Sequence, residues 1–223
     1  MAVSTRTDEE IQADVLEELK WDSRVQPNEI GIMVKDGIVT LMGWVDSYWK
    51  KVAAEEAARR VRGVKAIAND IEVRLPGSAE RTDTDLAKAV LNALRWEAAI
   101  PADKLDVTVS HGWVTLKGEV EYGFQKRLAE RVVERLSGVK GVTNLITVKP
   151  HVMPTDLKQS IERALVRNAE IDARNITVEV EGGKVILRGT VRSYVEKKAA
   201  EEAAWAAPGV TEVENRIVVS PPL

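Results

Sequence analysis

The chain has 223 residues, 44% hydrophobic and 30% charged, with a formal net charge of −3. That composition describes a folded globular protein, and a pI near 5.6 argues against a dedicated nucleic-acid binder, which carries a basic footprint. No cysteine is present, so disulfides and thiolate chemistry are excluded. The first ten residues lack the apolar core of a secretory signal. No apolar run approaches the roughly 20 residues of a membrane-spanning helix. The expectation is a cytoplasmic protein, or a periplasmic one only if a leader has been removed, whose membrane contact, if any, is peripheral.

The first element in chain order is a helix. Asp8-Glu9-Glu10 place a cap and negative charge at its start, as Thr155-Asp156 do in a later copy. Ile11, Val15 and Leu19 form a stripe, with Leu16 beside them. Ile30, Ile32 and Val34 alternate as a half-buried strand. Asp36-Gly37 predicts a tight hairpin turn whose two central residues both need positive φ. A second strand buries Val39, Leu41 and Val45, with Gly43 between them. Another helix follows with Trp49, Ala53, Ala57 and Val61 stepping by four. Ser47 is its predicted cap and Gly63 the left-handed residue that ends it. A third strand runs from Ile67 to Val73.

This order is then written out twice more. Gly37-Ile-Val-Thr-Leu-Met-Gly-Trp-Val45 returns as Gly112 to Val120 and as Gly183 to Val191. Counted from Gly37, Gly112 and Gly183, a glycine recurs six residues later at Gly43, Gly118 and Gly189. Another recurs at 26 (Gly63, Gly138, Gly209), and an asparagine at 32 (Asn69, Asn144, Asn215). The first-helix stripe recurs as Leu86, Val90, Leu91 and Leu94, and as Leu157, Ile161 and Leu165. A period of 71 to 75 residues fits small domains in tandem rather than a solenoid. The predicted domains span 8–74, 83–149 and 155–220, with short linkers at 75–82 and 150–154. The fold class is α+β. Each unit is helix-strand-strand-helix-strand, with two helices covering one face of a three-stranded mixed sheet.

Gly-x-Val-Thr-Leu-x-Gly-x-Val, the later Gly-Val, and Val-x-Asn-x-Ile-x-Val resemble the BON domain. Trp21-Asp22 and Trp96-Glu97 look like the multi-copy, stress-associated branch of that family, from which Arg167-Asn168 departs. The resemblance implies a non-catalytic α+β domain, linked to osmotic stress and to phospholipid or membrane surfaces. It implies no cofactor and no catalytic or metal-ligand motif. His111 and His151 have no second ligand at metal spacing.

Three surfaces are functional candidates. The outward column of the first sheet, Met33, Ile38, Met42 and Trp44, is apolar. Its counterparts, Thr108, Trp113, Lys117 and Glu119, then Thr177, Lys184, Arg188 and Thr190, are mostly polar. Either another repeat packs there, as the short linkers favour, or a partner or membrane does. The second candidate is the cationic middle helix, with Lys126, Arg127, Arg131 and Arg135 near Lys140. It is either an anionic-headgroup site or a solvated face laced by Glu130 and Glu134. The third is the aromatic set. Trp49 and Phe124 share a column with Val195 and are expected in the core. Tyr48 and Tyr194 are expected at the surface, and Trp21 and Trp96 packed under the following loop. Asn69, Asn144 and Asn215 are expected to bond backbone near the preceding Gly-Val turn.

The functional expectation is binding of anionic phospholipid surfaces in the osmotic or envelope stress response. The alternative is a scaffold for another protein or for self-association, or a potassium or calcium sensor, using the apolar back of the first sheet. RNA binding is disfavoured, because there is no Gly-x-x-Gly loop and no basic stripe.

Overall fold

The computed structural model describes residues 6–150 and 155–220. Most of the predicted linker 150–154, including His151, lies outside the described residues. Three units follow one another with identical element order. The first holds α1 (Asp8–Trp21), β1 (Ile30–Lys35), β2 (Ile38–Val45), α2 (Tyr48–Arg60) and β3 (Ala66–Val73). The second holds α3 (Asp83–Trp96), β4 (Leu105–Ser110), β5 (Trp113–Val120), α4 (Gly123–Glu134) and β6 (Gly141–Val148). The third holds α5 (Leu157–Arg167), β7 (Ile176–Glu181), β8 (Lys184–Val191), α6 (Tyr194–Trp205) and β9 (Glu212–Val219).

The α+β reading and the mixed sheet are confirmed. In each sheet the second strand is central, antiparallel to the first and parallel to the third. A parallel neighbour needs a crossover, and the second helix supplies it. Each unit has its own core: Ile11, Val15, Leu19, Val39 and Leu41 in the first, with Leu86, Leu94, Val114 and Leu116, then Ile161, Leu165, Val185 and Leu187, in the others. Leu16 points away from that core, 37% exposed.

The recurring glycines have steric causes. At Gly43, φ is +119°, and a Cβ would fall 2.0 Å from the carbonyl oxygen of Glu29. Gly118 and Gly189 meet Lys104 and Asn175 in the same way, at 2.1 and 1.9 Å. No side chain fits where the central strand passes the turn that precedes the first strand. At the hairpins, Asp36 and Gly37, and His111 and Gly112, all have positive φ. The third hairpin departs from the prediction: Gly182 has φ +60° and Gly183 does not share it, so only the first central residue is left-handed, as in a type II′ turn. The first two hairpins are also clamped. Asp8 accepts the N–H groups of Asp36 and Gly37 at 2.7 and 2.9 Å. Asp83 accepts those of His111 and Gly112 at 2.8 and 2.9 Å. The third copy carries proline, not aspartate, at that column, at position 154, outside the described residues.

Helix caps follow the sequence only in part. Ser47 and Ser193 accept from Lys50 N and Glu196 N, as expected. The cap of α1 is Thr7, one residue before the expected Asp8, and α3 is capped in the same way by Thr82. Asp156 precedes α5 without a side-chain cap bond.

The asparagine column corrects a second expectation. Asn69 Nδ2 donates to the Lys51 carbonyl and to Glu55, and Asn69 Oδ1 accepts from Ile71 N. Asn144 does the same with Lys126, Glu130 and Ile146, and Asn215 with Lys197, Glu201 and Ile217. The amide therefore ties the third strand to the second helix rather than to the Gly-Val turn. It is half-buried in all three units.

Candidate functional site

The second helices hold the three units together. Eleven residues after the turn glycine stand Tyr48, Gly123 and Tyr194, and twenty-two after it stand Arg59, Glu134 and Trp205. Tyr48 packs against the core of the second unit. Its phenol hydrogen-bonds the backbone of Val142, and burial together with the charges of Glu134 and Glu130 raises its pKa. Gly123 lies against the Trp205 ring of the third unit, where a Cβ would come within 2.3 Å of Cε3. Tyr194 returns to the first unit, its ring 5.0 Å below the Arg59 guanidinium. Position eleven of each unit thus meets position twenty-two of the next, and the third meets the first. This is a head-to-tail contact that closes into a ring.

The contact explains why the second helix reads ambiguously in sequence. Its buried stripe is Ala53, Ala54, Ala57 and Ala58 in the first unit, Ala129 and Val133 in the second, and Ala199, Ala200 and Ala204 in the third. Trp49, Phe124 and Val195 are not core residues. Phe124 is 46% and Val195 44% exposed, and half-buried Trp49 stacks under Arg135 of the second unit at 4.9 Å and under Arg24 at 5.7 Å. Tyr48 and Tyr194, expected at the surface, are half-buried in the seam.

The five cations of the middle helix region do not form one surface. Arg127 stacks over Trp205 at 5.7 Å, and Arg131 reaches Glu202 at 4.0 Å, so both face the third unit. Arg135 faces the first. Lys126 is half-buried beside the Asn144 bond to its carbonyl. Lys140 is set apart under the His111–Gly112 turn, its N–H bonded to the Gly112 carbonyl at 2.9 Å. Nor does Glu134 lace a solvated face: burial lifts its carboxyl to about 7, with Glu130 and Glu56 adding to the effect.

The ring turns other groups outward. No repeat covers the back of the first sheet: Met33, Ile38 and Met42 are 54%, 47% and 37% exposed. Trp44 is half-buried under Arg74, 5.7 Å away. In the second sheet, Trp113 covers Gly141 and donates from Nε1 to Thr143 Oγ1 at 2.8 Å.

The first-helix ends differ most from expectation. Trp21 and Trp96 are 85% and 89% exposed instead of lying under a loop. Each follows a basic residue, Lys20 or Arg95, and the third helix ends in Val166-Arg167. Beneath Trp21 the chain is held fast. Arg24 and Arg60 both bond Asp22, and Arg60 also bonds Glu18 at 2.8 Å. These bonds, Arg24 first, hold the Asp22 carboxyl far below the usual carboxylate range. The indole therefore projects from a braced base.

Sequence reasoning missed Arg59, Lys197, Lys198 and Trp205. The available signal was size complementarity between two columns, where the glycine at 123 answers the tryptophan at 205. Among the described residues, no group of three or more His, Asp or Glu is placed to hold a metal ion. No helix among them is long and apolar enough to cross a membrane.

Comparison with known proteins agrees with the repeat. The chain is similar to osmotically-inducible protein Y of Escherichia coli (strain K12), 27% identical over 146 residues, covering 64% of this chain and 73% of that protein. An uncharacterized protein of Deinococcus radiodurans is 38% identical over 74 residues, 33% of this chain and 29% of that one. A structural protein of the type III secretion system of Chlamydia trachomatis aligns over 94% of this chain and 92% of its own, at 13% identity and a TM-score of 0.27. The BON domain model matches at residues 7–74, 82–150 and 155–221. The chain belongs to the BON domain family and carries three copies of the domain in tandem.

Proposed function

We propose that the chain is a non-catalytic binding protein of the osmotic or envelope stress response that docks on anionic phospholipid surfaces through its first-helix ends. The observation that carries this is the exposure of Trp21 and Trp96 beside Lys20 and Arg95. Tryptophan is usually well buried in a folded protein. Its amphipathic ring is favoured at the headgroup level of a bilayer, and an adjacent cation gains about 1 kcal/mol near an anionic leaflet. The stress assignment draws on the name of the Escherichia coli relative.

Flotation with anionic and with neutral vesicles at low salt tests this reading. The expected result is binding to anionic vesicles that falls at least tenfold in the double variant W21A/W96A. Equal binding by the variant and the parent protein would overturn it. A second reading rests on the uncovered Met33, Ile38 and Met42, which offer an apolar sheet face to a protein partner. Self-association of the parent protein that M33S/M42S abolishes, with no vesicle binding by either, would favour that face instead.

A further inference from the structure

We propose that the cleft enclosed by α2, α4 and α6 binds a small free phosphate-bearing anion, held chiefly by Arg59, Arg127 and Arg131. The cleft has a volume of about 150 Å³, with Tyr194 and Trp205 among its walls. Its charged lining is Arg59, Arg127, Arg131, Lys197 and Lys198 against Glu201 and Glu202. Five cations thus face two carboxylates, and both carboxylates are already engaged. Glu201 accepts from Asn215 at 3.1 Å, and Glu202 lies 4.0 Å from Arg131.

Two residues of this lining each carry a buried donor without a protein partner. Among the described residues, three buried side-chain polar atoms lack a hydrogen-bond partner, and two of them are Arg59 Nε and Arg127 Nη1. A buried N–H without a partner is rare enough in folded proteins to need a cause, and an ion is one such cause. Arg59 spends its Nη2 on Glu55 and Arg127 lies over the Trp205 ring, so each guanidinium is oriented with a donor to spare. Fixed guanidinium forks suit phosphate oxygens better than any other side chain does. Burial also holds the Arg127 pKa below its ordinary value, so its charge is under-compensated where it stands.

Size selects the ligand. A cleft of about 150 Å³ is smaller than the roughly 300 Å³ at which drug-sized ligand pockets begin. It admits one or two phosphate groups and has no room for a bilayer. Because its walls come from all three units, a bound anion would lock the ring shut.

Titration calorimetry of the full chain with inorganic pyrophosphate is the test. One saturable site is expected, tighter than about 1 mM, and weakened at least tenfold in R127Q and in R59Q. K198Q, which removes a half-buried cation of the lining, should weaken it severalfold and provides a readout if R127Q misfolds. Absence of saturable binding, several equivalent sites, or unchanged affinity in R127Q and K198Q would each overturn the proposal. Anionic vesicles supply the other arm: R127Q should float with them as the parent protein does, while W21A/W96A should keep its pyrophosphate site. If pyrophosphate fails to bind and R127Q loses the vesicles, the cleft takes a lipid headgroup and the free-anion assignment falls.

Discussion

Gly123 lies flat against the indole of Trp205, and a methyl group at 123 would stand 2.3 Å from Cε3 and 2.9 Å from Cζ3. The other two copies carry tyrosine at this column, so the glycine is a local answer to one bulky neighbour. It opens α4 and has no positive φ. Alanine or valine there therefore costs the helix nothing in backbone strain, and any penalty comes from the seam. We expect G123V to loosen the contact between the second and third units while leaving each unit folded. The readout is earlier elution on size exclusion with unchanged far-UV circular dichroism. W205A should open the same seam from the other side.

The central-strand glycines respond differently. A Cβ at 118 would stand 2.1 Å from the Lys104 carbonyl oxygen, on a backbone with φ +126°. Here both sterics and backbone conformation oppose a side chain, and the neighbour is backbone that cannot rotate away. G118A should cost at least about 3 kcal/mol, in the range reserved for strain at special dihedrals. Urea denaturation should show the loss confined to the second unit.

The seam between the first two units should respond to pH. The Glu134 carboxyl is lifted to about 7 by burial, then by Glu130 and Glu56, against the pull of Arg131 and Arg135; Tyr48 also faces it. Its folded value lies above its ordinary value of 4.5, so folding favours the protonated form. That stabilisation is complete below pH 4.5 and disappears as pH rises through about 7. E134Q should therefore flatten the stability profile across this window. At pH 8 it should melt roughly 2–4 °C higher than the parent, the shift that about 1 kcal/mol gives in a chain of this size. Identical melting profiles for the two proteins from pH 4 to 8 would show that the carboxyl is not held in the seam.

The hairpin clamp gives the opposite sign. Backbone N–H bonds from Gly112 and then His111 lower the Asp83 pKa. Its contribution is present above the ordinary value of 3.8 and is lost as pH falls through the lower folded value. D83A should melt below the parent at neutral pH and approach it in acid. The third unit, with proline at position 154 in that column, should show no such dependence at its hairpin.

What could be read from sequence was whatever repeats within one unit. The hairpin dipeptides, the glycine at the strand crossing, the first-helix stripe and the alternating strands follow from local periodicity and backbone sterics. Leu19, Leu94 and Leu165 are legible as core residues because only one face of the first helix is apolar. The second helix carries two contact faces, one to its own sheet and one to the next unit. Its step-by-four apolar pattern sums both, so it points Trp49 and Phe124 to a core they do not enter. Tyr48 meets Val142 and Arg59 meets Tyr194 only when the units pack on one another, and no spacing within a unit encodes that packing. Trp21 departs from expectation for a different reason. Tryptophan is buried on average, and only the Asp22–Arg24–Arg60 bracing beneath it shows that this one is not.

Small-angle scattering of the full chain in solution tests the ring directly, because the Arg59–Tyr194 contact between the first and third units exists only if the chain closes. Three units of this size packed as a triangle give a radius of gyration of about 18 Å, whereas the same units in line give about 22 Å or more. A value near the first, increased by G123V, is the predicted result. A value at or above the second for the parent protein would contradict the ring, and with it the cleft that depends on it.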